Sequence, residues 1–290
     1  MKDTTTGIIG VGLMGHGIAA SLQRKGWLIG FLDHPGNQPT DDLVAAGAWV
    51  AATPAALAGR CETIILCVTG SPQVEAVLAG TDGILERMQA GTVVIDCSTA
   101  VPESTRRMAA LVEKAGGAML DAPMTRTPKE AAQGRLNLIV GGDRAVFEAR
   151  RPLLEAFAEN ITYAGASGSG HTLKLLHNFV SLGFAAVLGE AAAAAGRGGI
   201  DPAVLQAVLA KGGGGGVALD RMSPYILERD PSGLRFTLAN AAKDLDYYCA
   251  MADHLGAAAA IARAIRDTYQ GTVDSGEASR LVPELIDLLG

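Results

Sequence analysis

The sequence has no concentration of positive charge. Lys and Arg number 24 against 30 Asp and Glu, the formal net charge is −6, and no basic run occurs. Nucleic acids and anionic membranes bind proteins through clustered Lys and Arg, so neither is an expected partner. The sequence also lacks an uninterrupted apolar run of about 18 residues and an apolar signal-peptide core at its start. We therefore expect a cytoplasmic protein that does not insert into a membrane.

Cysteine and histidine are too sparse and too scattered to suggest a metal centre. The four cysteines include no Cys-x-x-Cys pair, and the five histidines show no metal-binding spacing. We expect no bound metal. Cys67 and Cys97 lie in apolar, strand-like runs, which favours small buried side chains over reactive thiols.

The first half of the chain alternates regularly between two patterns. Short apolar, β-branched runs predict strands at Gly7–Val11, Leu28–Leu32, Thr63–Val68, Val93–Cys97, Met119–Ala122, Leu138–Val140 and Ile161–Tyr163. Helical patterns separate most of them, at Ile18–Lys25, Gln73–Leu78, Glu103–Lys114 and Ala145–Phe157. Parallel strands need a crossover to return, so the alternation predicts a doubly wound parallel sheet with right-handed crossovers.

After Tyr163 the strand signals stop. The stretch GASGSGHTLKLLHNFVSLGFAAVLGEAAAAAGRGG opens with turn residues and continues as one long predicted helix to a glycine stop. Further helices are predicted at Pro202–Leu209, Leu238–His254, Ala257–Tyr269 and Leu281–Leu288. The change from α/β to all-α predicts two domains, residues 1–163 and residues 164–290.

Three glycines follow the first predicted strand, in the stretch GIIGVGLMGHG. With 37 glycines in 290 residues, the spacing Gly-x-Gly-x-x-Gly is expected to occur by chance. Whether it marks a dinucleotide site therefore depends on the elements around it. Here it lies between a strand and a helix, as in dinucleotide-binding folds. Gly10 would allow the tight turn, Gly12 the approach of a pyrophosphate, and Gly15 close packing of helix on strand. Backbone N–H groups around Leu13 and Met14 would face the phosphates.

An acidic residue, Asp33, ends the next predicted strand. Its carboxylate can accept hydrogen bonds from the adenosine ribose hydroxyls and would repel a 2′-phosphate. The residues that follow it, His34-Pro35-Gly36, include no arginine. The sequence therefore favours NAD, with NADP as the alternative. Taken alone, Asp33 could equally be a solvated acid at a strand end.

Five segments together carry a family resemblance. In order along the chain they are GIIGVGLMG, VIDCSTAVPEST, DAPMTRTPKEAAQGRLNLIVGG, GSGHTLKLLHN and KDL. Their order and spacing resemble the β-hydroxyacid dehydrogenases, which include 3-hydroxyisobutyrate dehydrogenase, the tartronate semialdehyde and sulfolactaldehyde reductases and, more distantly, 6-phosphogluconate dehydrogenase. The resemblance covers essentially the whole chain. It implies a Rossmann domain, a helical C-terminal domain, hydride transfer between a nicotinamide coenzyme and a small anionic hydroxy acid or semialdehyde, and assembly as a homodimer or homotetramer.

The resemblance assigns the family's catalytic lysine to Lys174 and an orienting amide to Asn178. The two lie one turn apart on one face of the predicted long helix. A lysine in water is mostly protonated at neutral pH, but burial and the positive nicotinamide ring both disfavour its charge. Lys174 would then accept the alcohol proton in oxidation and donate it in reduction. His177 is expected either to touch substrate or to fill a helix interface.

Other predicted site residues lie at strand ends, where open α/β sheets bind ligands. By the resemblance, Ser98 contacts the substrate carboxylate and Thr99 the nicotinamide side. Lys243 in KDL would also lie near the nicotinamide, or else be an exposed helix charge. The residues expected to line the adenosine side are Val68, Thr69 and Ser71.

One segment departs from the family pattern. Most members have Ser-Gly-Gly after DAP, where this chain has Met124-Thr125-Arg126-Thr127. The planar guanidinium of arginine can donate two hydrogen bonds to one oxyanion. Sulfolactaldehyde reductases resemble this chain here, with an arginine and a threonine at the equivalent place. We predict that Arg126, flanked by Thr125 and Thr127, recognises an acidic group of the substrate, either a sulfonate or a second carboxylate. The alternative is an Arg126 that points into solvent.

Two other functions fit the same two-domain plan: an imine reductase and a catalytically silent nucleotide-binding or scaffold module. Relatives of both kinds generally lack the lysine. The presence of Lys174 therefore favours the dehydrogenase.

Overall fold

A computed structural model describes residues 5–290 and divides into two compact units, the first ending at Lys174 and the second covering Leu175–Gly290. Within the described residues the first unit contains a 9-stranded sheet. Its strands are β1 Thr5–Ile9, β2 Leu28–Leu32, β3 Trp49–Ala51, β4 Thr63–Leu66, β5 Val93–Asp96, β6 Ala118–Asp121, β7 Met124–Thr125, β8 Leu136–Gly141 and β9 Ala158–Gly165. The domain boundary predicted at residues 163 and 164 stays a prediction.

The sheet is parallel over most of its width. Strands follow the order β3-β2-β1-β4-β5-β6 with every pair parallel, as the sequence predicts. Beyond β6 the pattern changes, because β8 joins β6 in the antiparallel sense, β7 is also antiparallel to β8, and β9 is parallel to it. The strand order reverses between β1 and β4. Open α/β sheets bind ligands beside such a reversal, at the carboxyl ends of the strands.

Helices connect the strands and cover the sheet. They are α1 Leu13–Arg24, α2 Asp41–Ala45, α3 Pro54–Ala58, α4 Ser71–Ala79, α5 Pro102–Lys114, α6 Pro128–Gln133 and α7 Arg144–Leu154. Alternate residues of a strand belong to opposite cores: Ile65 packs in one apolar cluster, whereas Ile64 and Leu66 pack in the other. A sheet covered on both faces explains why its strands are continuously apolar.

The predictions for this unit fail where elements are short or rich in glycine. Each predicted strand is present: β2 has the predicted ends, and the others differ by up to three residues at one or both ends. The elements β3, β7, α2, α3 and α6 were not predicted. None of these five elements is longer than 6 residues, which is too short for a repeating apolar pattern to be recognised. Helix α1 begins at Leu13 rather than at the predicted Ile18, because the glycines of its first turns imitate a loop.

The second unit is helical. Helix α8, Ser169–Arg197, starts in the first unit and continues into the second. It is followed by α9 Pro202–Lys211, α10 Val217–Glu228, α11 Leu238–His254, α12 Ala260–Thr272 and α13 Leu285–Leu289. Helix α10 was not predicted, because the preceding glycine run hides its start. Tyr269 lies at the centre of this unit, fully buried, and its hydroxyl donates to the carbonyl of Leu182 at 3.0 Å.

Helix α8 is unusually apolar for a helix of its length. A window of it has a mean hydropathy of 1.6, sufficient by length and composition to cross a membrane. Core helices of globular proteins meet the same criterion, and α8 has buried polar side chains at His171, Lys174 and Asn178. The helix alone is therefore weak grounds for a membrane span.

The first turn of α8 is fixed to the sheet by a buried carboxylate. Asp121, at the end of β6, accepts hydrogen bonds from the backbone N–H groups of Gly168 at 2.8 Å and His171 at 2.9 Å. These N–H groups have no partner inside the helix, and a negative charge there also suits the helix dipole. Gly170 permits the close approach, since a Cβ atom on it would lie 2.4 Å from the carbonyl oxygen of Ile139.

Replacement of this glycine tests the attachment. We expect Gly170→Ala to lower the free energy of unfolding by about 1–3 kcal/mol, because backbone atoms must move to admit the methyl group. Gly196, in the same helix, has no atom within 4 Å of an added Cβ. Gly196→Ala should therefore stabilise the protein by up to about 1 kcal/mol. Urea denaturation measures both, and equal effects of the two substitutions would contradict the close contact at Gly170.

Candidate active site

The turn after β1 has the geometry that a dinucleotide requires. Gly10 has φ +92°, and a Cβ on it would lie 2.3 Å from the carbonyl oxygen of Cys67, so only glycine fits. A Cβ on Gly15 would meet the carbonyl of Gly10 at 1.9 Å. Around Gly12, by contrast, the nearest atom to an added Cβ is 3.9 Å away. The backbone at Gly12 is thus open to an approaching group.

The N-terminus of α1 complements this open backbone. No side chain of the described residues caps it, and its first turn contains no acid. The Leu13 side chain is exposed and Met14 is half-buried. Uncapped N–H groups at a helix start, together with the helix dipole, form a binding site for an anion such as a pyrophosphate.

The loop after β2 is tied to the glycine turn through a residue that sequence reasoning missed. Asn37 accepts a hydrogen bond from the Val11 N–H at 3.2 Å and donates to the carbonyl of Leu32 at 2.9 Å. Asp33 is exposed at the end of β2. Asn37 gives little signal in the sequence, because its role depends on a contact between two turns.

The ends of β4 and β5 bring two predicted site residues into contact. The Ser98 hydroxyl accepts the Val68 N–H at 3.0 Å, and the Ser98 N–H donates to Asp96 at 2.9 Å. Ser98 is buried, whereas Thr99 is half-buried and Thr69 is exposed. Ser71 begins α4 and accepts the Val101 N–H at 2.8 Å.

Two buried ionisable groups lie next to Ser98. Burial raises the pKa of Asp96, although the neighbouring His171 acts in the opposite direction. Burial also raises the pKa of the Cys97 thiol well above its ordinary range. Cys97 is therefore the buried, unreactive side chain that the sequence predicts, while Cys67 is only half-buried and lies just beyond the end of β4.

Helix α8 holds the predicted catalytic pair. Lys174 is 9 % exposed and Asn178, one turn later, is 7 % exposed. A lysine this buried is uncommon in a folded protein. The two side chains are on one face of a continuous helix, as predicted, and the turn before Lys174 is the one fixed by Asp121.

In the second unit a buried carboxylate joins two further predicted residues. Asp244 accepts hydrogen bonds from the Asn178 amide at 2.6 Å and from the Lys243 ammonium at 2.6 Å. Asp244 is 3 % exposed. The Asn178 oxygen lies 3.0 Å from Nδ1 of His177. Asp244 was not predicted as a site residue, although an acid on the buried face of a helix is a signal that sequence patterning can detect.

The unusual segment after β6 is engaged with its neighbours. Arg126 has φ +83°, and its guanidinium pairs with the Glu159 carboxylate and donates to the Arg135 carbonyl. A left-handed backbone at a non-glycine residue costs about 1 kcal/mol or more. Thr125 accepts from the Asn137 amide at 3.1 Å. Thr127 caps α6 in a capping box.

Known proteins share both units of this chain. Residues 5–165 match the family model for the NAD-binding domain of 6-phosphogluconate dehydrogenase. Residues 168–289 match the model for the NAD-binding domain of NADP-dependent 3-hydroxyisobutyrate dehydrogenase. The chain belongs to the β-hydroxyacid dehydrogenase family. The dehydrogenase is thus an NAD(P)-dependent oxidoreductase, which confirms the resemblance, the fold class and the coenzyme predicted from the sequence.

Relatives of this dehydrogenase act on small hydroxy acids. It is 34% identical over 226 residues to the NAD-dependent L-serine dehydrogenase of Pseudomonas aeruginosa, covering 77% of this chain and 76% of that one. It is 35% identical over 207 residues to the 2-hydroxy-3-oxopropionate reductase of Escherichia coli, covering 71% and 70%. The solved 3-hydroxyisobutyrate dehydrogenase of Salmonella typhimurium has a TM-score of 0.85 and 27% identity, covering 99% of this chain and 100% of that one.

The residues present fit the coenzyme. The open backbone at Gly12, the uncapped start of α1 and the exposed Asp33 are where its pyrophosphate and ribose would be held. Among residues 5–290, no group of three or more His, Cys, Asp or Glu side chains could hold a metal ion.

Proposed function

We propose that this dehydrogenase interconverts a small anionic β-hydroxy acid and its semialdehyde, using NAD. The observation that carries the proposal is the buried amine of Lys174, on a helix whose first turn is fixed to the carboxyl ends of the strands. Relatives named for serine, 3-hydroxyisobutyrate and 2-hydroxy-3-oxopropionate support this substrate class.

The coenzyme, when bound, supplies hydride transfer at its nicotinamide ring. Lys174 takes the hydroxyl proton as the carbinol carbon is oxidised and returns it in the reverse direction. Asn178, held by Asp244, directs its remaining amide hydrogen to the substrate oxygen. Ser98 donates its hydroxyl to the substrate carboxylate, and Thr99 contacts the nicotinamide. Lys243 adds positive charge beside the coenzyme.

Asp33 supports the choice of NAD over NADP. It is exposed at the end of β2, where the adenosine ribose lies in this fold, and its charge would repel a 2′-phosphate. An imine reductase or a silent nucleotide-binding module would not need the buried Lys174. Solved imine reductases, such as that of Streptomyces aurantiacus at 23% identity and a TM-score of 0.61, share only the fold.

Removal of the amine tests this function. We expect Lys174→Ala to lower kcat/KM by about 10²- to 10⁴-fold, the range typical of general acid–base catalysis. NADH affinity should stay within about twofold, because the glycine turn and Asp33, which would hold the pyrophosphate and ribose, are unchanged. The assay measures kcat/KM for L-serine, 3-hydroxyisobutyrate and tartronate semialdehyde, with NAD(H) and with NADP(H). Lys211→Ala, at the exposed end of α9, is the control. NADH binding without turnover of any substrate by the wild type would favour the silent module.

We infer that Arg126 recognises an acidic group of the substrate. Its support is a guanidinium that already binds a carboxylate, that of Glu159. Binding substrate would then exchange Glu159 for the substrate anion. The arginine fork suits a carboxylate and a sulfonate alike.

A matched pair of arginines tests the anion site. We expect Arg126→Ala to lower kcat/KM at least tenfold on one or more of sulfolactaldehyde, methylmalonate semialdehyde and tartronate semialdehyde, because a charge-assisted contact is lost. Arg135 also pairs with Glu159 and is more exposed, so Arg135→Ala should change kcat/KM by less than about threefold. Wild-type rates for Arg126→Ala on all three substrates would disprove the role.

We propose that the protein assembles as a homodimer or homotetramer through α8. Leu176, Val180, Phe184 and Val187 follow each other at three- or four-residue steps along this helix, and all four are substantially exposed. An apolar stripe of this length is characteristic of an interface. A second copy of the same helix would cover it.

Sedimentation measures the assembly directly. Sedimentation equilibrium of the wild type should give a mass two or four times the 29.7 kDa of one chain. Val180→Glu combined with Val187→Glu should shift it toward the monomer, because charges would be buried in the contact. Glu190→Gln, at an exposed position of the same helix, should leave the mass unchanged. A monomeric wild type would contradict this assembly.

A further inference from the structure

His171 is a fully buried side chain that the proposed reaction does not use. It lies in the first turn of α8, three residues before Lys174, and has 0 % exposure. Its Nε2 is 3.1 Å from the carbonyl oxygen of Ser98, and its Nδ1 is 2.7 Å from the hydroxyl of Thr105 in α5. The imidazole therefore joins three separate elements: the segment after β5, α5 and α8.

The partners of the ring determine where its hydrogen lies. The Ser98 carbonyl can only accept, so Nε2 carries the hydrogen and donates it. Nδ1 lies 2.7 Å from the Thr105 hydroxyl. The same hydroxyl donates to the carbonyl of Val101 at 3.3 Å. The geometry thus assigns a hydrogen to Nε2, and the backbone N–H of the same histidine is held by Asp121.

Two buried carboxylates flank the ring. Asp96 Oδ2 lies 3.9 Å from Nε2, and Asp121 Oδ2 lies 4.0 Å from Nδ1. Both carboxylates are fully buried. Neither is at normal hydrogen-bonding distance from the ring, so the Ser98 carbonyl and the Thr105 hydroxyl, rather than an acid, set the orientation of the imidazole.

We propose that His171 is a positioning residue that fixes the Ser98–Thr99 segment relative to the turn of α8 that carries Lys174. The inference rests on the proposed function, since it concerns the alignment of that site. Its Nε2–H holds the Ser98 carbonyl, and its backbone is bound to β6 through Asp121. A shift of either attachment would change the spacing between Ser98 and the lysine amine, and reaction rates are sensitive to displacements of about 1 Å.

Three substitutions separate positioning from packing. His171→Phe keeps a ring but has no polar atoms, His171→Asn has an amide too short to reach the Ser98 carbonyl, and His171→Gln has an amide that extends to the Nε2 position. We expect kcat/KM for the hydroxy acid to fall at least tenfold in the Phe and Asn variants and to stay within about threefold of wild type in the Gln variant. NADH affinity should not change in any of them. Thr105→Val removes the second partner of the ring and keeps its volume, and should have a smaller effect than His171→Asn.

A second measurement does not depend on turnover. Hydrogen exchange of the backbone amides in residues 97–101 should become faster in His171→Asn than in His171→Gln, because only the glutamine retains the hydrogen bond to Ser98. Equal exchange in these two variants, or equal kcat/KM, would overturn the inference even if the Phe variant fails to fold. If wild type turns over no substrate but the exchange rates differ as expected, the proposed function is wrong and the positioning of the segment by His171 stands.

Discussion

The geometry of the candidate site depends on the carboxylate of Asp121. It lies at the end of β6 with no exposure to solvent and accepts the N–H groups of Gly168 and His171. These donors belong to the start of α8, so one side chain both completes the hydrogen bonding of the helix terminus and fixes the helix to a strand. Burial of a charge is costly unless its partners are in place. The arrangement therefore favours a single position for the first turn of α8, and with it for Lys174.

Within each unit, buried acids hold predicted site residues. In the first unit Asp96 accepts the Ser98 N–H, and in the second Asp244 holds the Asn178 amide and the Lys243 ammonium. None of these acids has to react with substrate under the proposed function. They orient groups that contact substrate or coenzyme in the proposal, and Asp244, with two donors, tolerates little movement of either. The polar network thus restrains amides, hydroxyls and amines that would otherwise sample several rotamers.

The sequence predicts the architecture well because the relevant signals are long or repeated. Alternating strands and helices up to Tyr163, the glycines before α1 and the one-turn spacing of Lys174 and Asn178 are all local patterns. Asp244 carried a local signal, an acid on the buried face of a helix, that was not used. Asn37 was missed for another reason: its importance comes from a contact with a residue that is distant in the sequence. The Arg126 backbone conformation was equally hidden, since nothing in the sequence around it requires a left-handed residue.

The burial of Cys97 has a consequence for how the enzyme meets oxidising conditions. Its thiol immediately precedes Ser98 in the chain, yet only the thiolate form reacts readily with peroxides and electrophiles. Because burial raises the pKa of this thiol and leaves it 2 % exposed, the reactive form is scarce and shielded. We therefore expect the Cys97 thiol, although it is next to Ser98 in the chain, to be a poor target for oxidants.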